Sequence, residues 1–163
     1  MPTNRIATAR PKRRPELDFT LQLACTAAGV PSRRRLRSWA EAALRRDARV
    51  TVRVVGTREG RTLNKRFRGR DYPTNVLTFV YDEGRPLSGD IALCAPVVAR
   101  EAREQGKSLA AHYAHLLVHG MLHLQGHDHI DPDEARIMET REIRLLRRLG
   151  FDDPYVVPHL PLH

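Results

Sequence analysis

Long apolar runs are missing from this chain of 163 residues, and a helix that crosses a bilayer needs about 18 of them in succession. No membrane contact is therefore expected. The first 15 residues are basic, free of acids and interrupted by proline, but hold no apolar stretch of the kind a secretory leader requires. They predict a disordered basic arm over 1–15, ahead of one folded domain over 16–158, with the cytoplasm as the default location. Cysteine is scarce. Cys25 and Cys94 lie far apart without a CxxC pattern, which excludes a disulfide scaffold and a paired thiolate metal site. Both sit among apolar neighbours and read as buried structural thiols. Aromatic rings are few, one Trp with four Tyr and four Phe, so contact with a nucleic acid is expected to run mainly through its backbone. Repeats and low-complexity linkers are also absent, and nothing divides the chain.

Acidic residues are outnumbered. Nineteen acids against 28 Lys and Arg leave a net charge of +9. Much of the surplus is local: Arg33, Arg34, Arg35 and Arg37 form one cluster, and Arg61, Lys65, Arg66, Arg68 and Arg70 another. Such density favours a polyanionic partner, because phosphate neutralisation supplies sequence-independent affinity. A solvated, solubilising surface would show the same composition.

The hydrophobic pattern orders the elements. Leu17, Phe19, Leu21 and Leu23 alternate with polar residues as a strand does, and Val50, Val52 and Val54 repeat the pattern. Between them Pro31-Ser32 opens a helix with Leu36, Trp39, Ala40, Ala43 and Leu44 on one face. A short helix from about Thr57 is expected to bury Leu63 and Phe67, and a loop rich in Gly, Asp and Pro follows. Strands near 74–81 and 90–93 come next, then a helix entered near Pro96. Ser108 caps another helix that Gly126 stops. Asp131-Pro132 starts the last, with Ala135, Met138, Leu145, Leu146 and Leu149 as its buried stripe. The order βαβαββααα predicts a single α+β domain, a small mixed sheet packed against helices.

Five of the eight histidines fall between 115 and 129. His119 and His123 are four apart on a helix, which sets both imidazoles on one face, one turn apart. Gly126 lets the chain leave the helix by a left-handed turn, and His129 can then return over the same face. Three neutral imidazoles suit one zinc ion and leave a fourth position open, as hydrolytic sites require. His127 competes as third ligand, but it follows the break at once, and His129 is preferred. The spacing equals the metzincin signature HExxHxxGxxH, except that Gly120 stands where those peptidases place their general base. A peptidase is disfavoured accordingly.

At these residues the sequence resembles the YbeY family of bacterial endoribonucleases. Leu63-Asn64, Phe67-Arg68-Gly69, Asp71 and the block Pro73-Thr74-Asn75-Val76-Leu77-Thr78-Phe79 look like the family's pattern, as do Gly89-Asp90-Ile91, the histidine motif and Asp153-Pro154-Tyr155. Thr78 stands where Ser is customary and His127 where Tyr is usual. The resemblance implies a zinc-dependent, single-strand-specific endoribonuclease of the cytoplasm, acting in 16S rRNA 3′-end maturation and ribosome quality control. Its partners would be RNA and the small ribosomal subunit, with room for ribosome-associated proteins. It also implies that Arg68 is the catalytic basic residue facing the metal. Asp128 is a candidate to orient a ligand imidazole or to cap a turn, and His115 reads as core-facing. The alternative is a non-enzymatic ribosome-assembly protein whose zinc is structural, though such sites are normally closed by four protein ligands.

Overall fold

Period-two alternation of Val, Leu and Ile builds one sheet from β1 (Leu17–Leu23), β2 (Ala48–Val55), β3 (Val76–Asp82) and β4 (Leu87–Cys94), in the order β1-β2-β4-β3. β1, β2 and β4 run parallel, with Phe19 beside Val50 and Val52 beside Ile91. β3 joins antiparallel, Thr78 beside Ile91, and forms an edge. The computed structural model describes residues 13–126 and 131–156, so most of the expected basic arm lies outside the described residues. Among those described, five helices complete the domain: α1 (Arg33–Ala42), α2 (Thr57–Arg68), α3 (Ala95–Glu104), α4 (Leu109–Leu124) and α5 (Pro132–Arg148). The expected α+β arrangement and element order are both present. No helix among the described residues is long and apolar enough to cross a membrane.

The helix starts follow local chemistry. Ser32 Oγ accepts from the Arg35 N–H, Ser108 Oγ from Ala111, and Asp131 from Asp133 with Pro132 in the first turn. Packing then separates the two faces of the sheet. Val50, Val52 and Ile91 point into the main core with Leu36 and Trp39 of α1, Leu117 and Met121 of α4, and Met138 and Leu146 of α5. Burying each such large side chain contributes about 1.5–3 kcal/mol. Val55 and Cys94 have the opposite parity along their strands and meet Val97 and Leu63 in a second, smaller cluster. Helix α2 therefore lies on the face away from α4.

Three expectations need correction. Phe67 is not buried: it is 54% exposed and leans on Phe79, because the small cluster is filled by Leu63 and offers no partner for a second ring. On α5 the fully buried row is Met138, Glu142 and Leu146, while Ala135, Leu145 and Leu149 are half-buried. Cys94 is buried but Cys25 only partly so, and both are free. Burial raises each thiol above its ordinary range, which suits structural rather than reactive cysteines.

Candidate metal centre

Helix α4 runs through the middle of the core and ends at the site. Its last turn carries His123, and Gly126 has φ +96°, a left-handed geometry that any side chain would strain, so the chain leaves the helix there. His119 and His123 stand one turn apart with ring centroids 6.5 Å from each other and planes 22° from parallel. His127, Asp128 and His129 lie outside the described residues. The structure thus brings two of the three expected ligands together.

Each of the two rings is gripped at Nδ1. Thr78 Oγ1 on β3 lies 2.9 Å from His123 Nδ1, and Glu142 Oε1 on α5 meets His119 Nδ1. In the tautomer that carries its proton on Nδ1, each ring donates to that oxygen and turns Nε2 into the ligating nitrogen. Oxygen acceptors behind imidazoles are the usual support of a metal-bound histidine, fixing tautomer and orientation. The donor set therefore fits zinc, which takes neutral imidazole nitrogens.

Glu142 was not singled out by sequence reasoning. Its carboxylate is completely buried, accepts from the Tyr155 hydroxyl at Oε2, and has His115 Nε2 at 3.7 Å. Burial by itself would raise this carboxyl. Hydrogen bonds from His115 and His119, the charge of His119 and the Tyr155 hydrogen bond outweigh it and hold the group at about 2. Desolvation lowers His115, which sits between Glu142 and the Tyr155 ring, so this histidine is core-facing as expected. A signal was present in the sequence: Met138, Glu142 and Leu146 are spaced i, i+4, i+8, and an acid in the middle of a buried row needs a partner. Thr78 had no such signal. Its hydroxyl acquires meaning only once β3 is known to pass beside α4.

Gly120 explains why the zincin signature is broken. A Cβ at this position would stand 3.2 Å from both Ile91 Cδ1 and Cγ2 and 3.4 Å from Thr78 Cγ2. Here α4 presses directly on the sheet. A glutamate in that place would be driven among β-sheet side chains rather than toward a metal, so the position cannot host a general base.

Arg68 closes α2 and lines a cleft with Asn64, Arg70, Tyr72 and Thr74. Among the described residues it forms no ion pair, whereas neighbouring Arg61 binds Asp71 through two bonds of 2.8 and 2.9 Å. The salt-bridge explanation of Arg68 thus has no partner there. His112, also on α4, belongs to a different cluster: its Nε2 meets Glu101 at 3.0 Å, and Asn75 donates to the same carboxylate.

Comparisons with known proteins agree in direction. The profile of the family described as Endoribonuclease YbeY matches residues 31–150. A protein of Nitrosomonas europaea named Endoribonuclease YbeY is 50% identical over 159 residues, covering 98% of this chain and 97% of its own. Another of that name from Aromatoleum aromaticum is 61% identical over 142 residues, covering 85% and 92%. Among solved structures, the solution structure of TM1509 from Thermotoga maritima aligns with a TM-score of 0.54 at 25% identity, covering 84% of this chain and 99% of that one.

Proposed function

The chain belongs to the YbeY endoribonuclease family, a family of hydrolases acting on RNA, and on that premise we propose that it is a zinc-dependent, single-strand-specific endoribonuclease. Its task is the maturation of the 16S rRNA 3′ end and ribosome quality control, in the cytoplasm, with the small ribosomal subunit as partner. The observation that carries the metal reading is the pair of imidazoles one turn apart, each supported at Nδ1 by a protein oxygen. The net charge of +9 suits a polyanionic substrate.

His119 and His123 would hold the ion together with His129, and the ion would supply Lewis-acid chemistry for phosphodiester hydrolysis. Glu142 and Thr78 keep the two imidazoles in the tautomer that presents Nε2. Arg68 offers a planar fork that binds a phosphate through two parallel hydrogen bonds and stabilises negative charge on it.

Cleavage of RNA by pure protein, with zinc measured in the same sample, tests the whole reading. Activity that rises and falls with about one bound zinc per chain is expected. Arg68→Ala is expected to lower kcat/KM by about 100-fold while zinc content stays the same. Steady-state kinetics then divide the roles: a loss in kcat places Arg68 on the reacting phosphate, and a loss confined to KM places it on a flanking one. Full activity in this variant would remove Arg68 from the mechanism.

A further inference from the structure

The few aromatic rings of this chain are not spread evenly. Among the described residues the exposed large hydrophobics include Phe67 at 54%, Tyr72 at 50%, Val80 at 41% and Tyr81 at 68%, all on the end of α2, its following loop and edge strand β3. Cations lie beside Phe67 and Tyr72, whereas Tyr81 donates to Asp90 at 2.7 Å. Lys65, Arg66, Arg68 and Arg70 are all exposed, and the acid next to them, Asp71, is occupied by Arg61. The Arg66 guanidinium lies 5.5 Å from the Phe67 ring, which meets Phe79 at 4.7 Å.

The loop behind α2 is built, not slack. Buried Asn64 donates to the Tyr72 carbonyl at 2.6 Å, the Arg70 N–H returns to the Asn64 carbonyl, and Arg70 Nη1 donates to the Tyr72 hydroxyl at 2.9 Å. Rings and cations are thereby held in place before any ligand arrives, which lowers the ordering cost of binding. The position is also informative. Phe79 points to the α2 face of the sheet while its neighbour Thr78 points to His123. The aromatic surface and the metal centre are separated by one edge strand.

We propose that this surface is a stacking platform for unpaired RNA bases, on which Phe67 and Tyr72 receive bases and Lys65, Arg66 and Arg70 neutralise the phosphates between them. The strand then passes over the edge at β3 to the histidines. Charge selects the occupant, since four cations around exposed rings match a chain that alternates phosphates with flat apolar faces. A duplex hides those faces in its own stack, so the platform admits single strands and rejects paired ones. Contact is therefore ring-led at this point, and not only backbone-led as the low aromatic content had suggested. The inference rests on the endoribonuclease reading, because it supplies RNA as the polymer.

The test is fluorescence anisotropy with a short unstructured RNA and a hairpin of equal charge, RNA integrity being checked on a gel, for wild type, Phe67→Leu, Phe67→Trp and Tyr72→Leu. Leucine preserves apolar contact with Phe79 but cannot stack, and thermal melting verifies that each variant is folded. Phe67→Leu is expected to weaken single-strand binding by about 5- to 100-fold, leave the hairpin unchanged and raise KM without lowering kcat. Phe67→Trp is expected to restore affinity, and Tyr72→Leu to repeat the loss. Unchanged single-strand affinity, or an equal loss for the hairpin, would overturn the platform. A wild-type dimer that Phe67→Leu dissociates would instead assign the rings to self-association. Ring-dependent binding without cleavage keeps the platform and defeats the nuclease reading; cleavage indifferent to both rings does the reverse.

Discussion

A His123→Ala protein is expected to purify folded but without zinc, and to cleave RNA no faster than a blank. The ring removed is one of two described imidazoles that face the same position, and its Nδ1 is already engaged by Thr78. Alanine is the best helix former, so α4 keeps its last turn and the Gly126 break that follows. The Thr78 hydroxyl loses its partner at a half-buried site where water replaces it cheaply. What disappears is a ligand, and the loss of affinity must exceed the about 10- to 100-fold that a mere neighbour of a ligand is worth. Zinc analysis, cleavage and the zinc-dependent rise in melting temperature should all vanish together, since binding to the native state alone is what stabilises it. Zinc retained with cleavage lost would turn attention to His119 and His129 as the holding pair. Equal cleavage by both proteins would point to a contaminating nuclease and favour an RNA-binding assembly factor.

The second large effect belongs to Glu142. Glu142→Gln keeps the shape and removes the charge, yet the amide must now present an N–H toward a pocket that supplies donors from His119 and Tyr155. The amide oxygen can still accept from His119, but the charge-assisted bonds become neutral ones and the Tyr155 hydroxyl must turn to accept, at a cost of about 1–3 kcal/mol of stability. Zinc affinity is expected to fall by about 10- to 100-fold, because a neutral amide is a weaker acceptor behind the His119 ring than a carboxylate. Chelator competition measures the affinity, and urea unfolding of metal-free protein measures the stability. The pH dependence supplies a separate check. The folded carboxyl sits at about 2, below its ordinary value of 4.5, so the unfolded chain takes up this proton first. The stabilisation is complete above about 4.5 and is lost as pH falls from there through about 2. Wild type should therefore weaken more steeply across that interval than Glu142→Gln, and parallel curves would show that the carboxylate is not held as described.

Much of this architecture is legible in the residue pattern. The strands announce themselves through Leu17, Phe19, Val50 and Val52, the helices through Ser32, Ser108 and Asp131-Pro132, and two candidate ligands through their spacing on α4. Those signals are local, a period or a cap. The sheet order β1-β2-β4-β3 is not, because alternation tells which side of a strand is buried but not which strand lies beside it. Glu142 and Thr78 were missed for the same reason: each is defined by a partner far away in sequence. Phe67 misled because helical spacing pairs it with Leu63, and only the small size of the second cluster leaves its ring outside.

The bond from Tyr155 to Glu142 has a temporal meaning as well. The chain is made from its N-terminus, so the imidazoles of α4 are synthesised before the carboxylate that steadies one of them, and that carboxylate before the hydroxyl that steadies it in turn. A nascent chain that ends before residue 142 already has Thr78 for His123 but lacks the carboxylate for His119. The centre becomes fully braced only when residue 155 has emerged and docked.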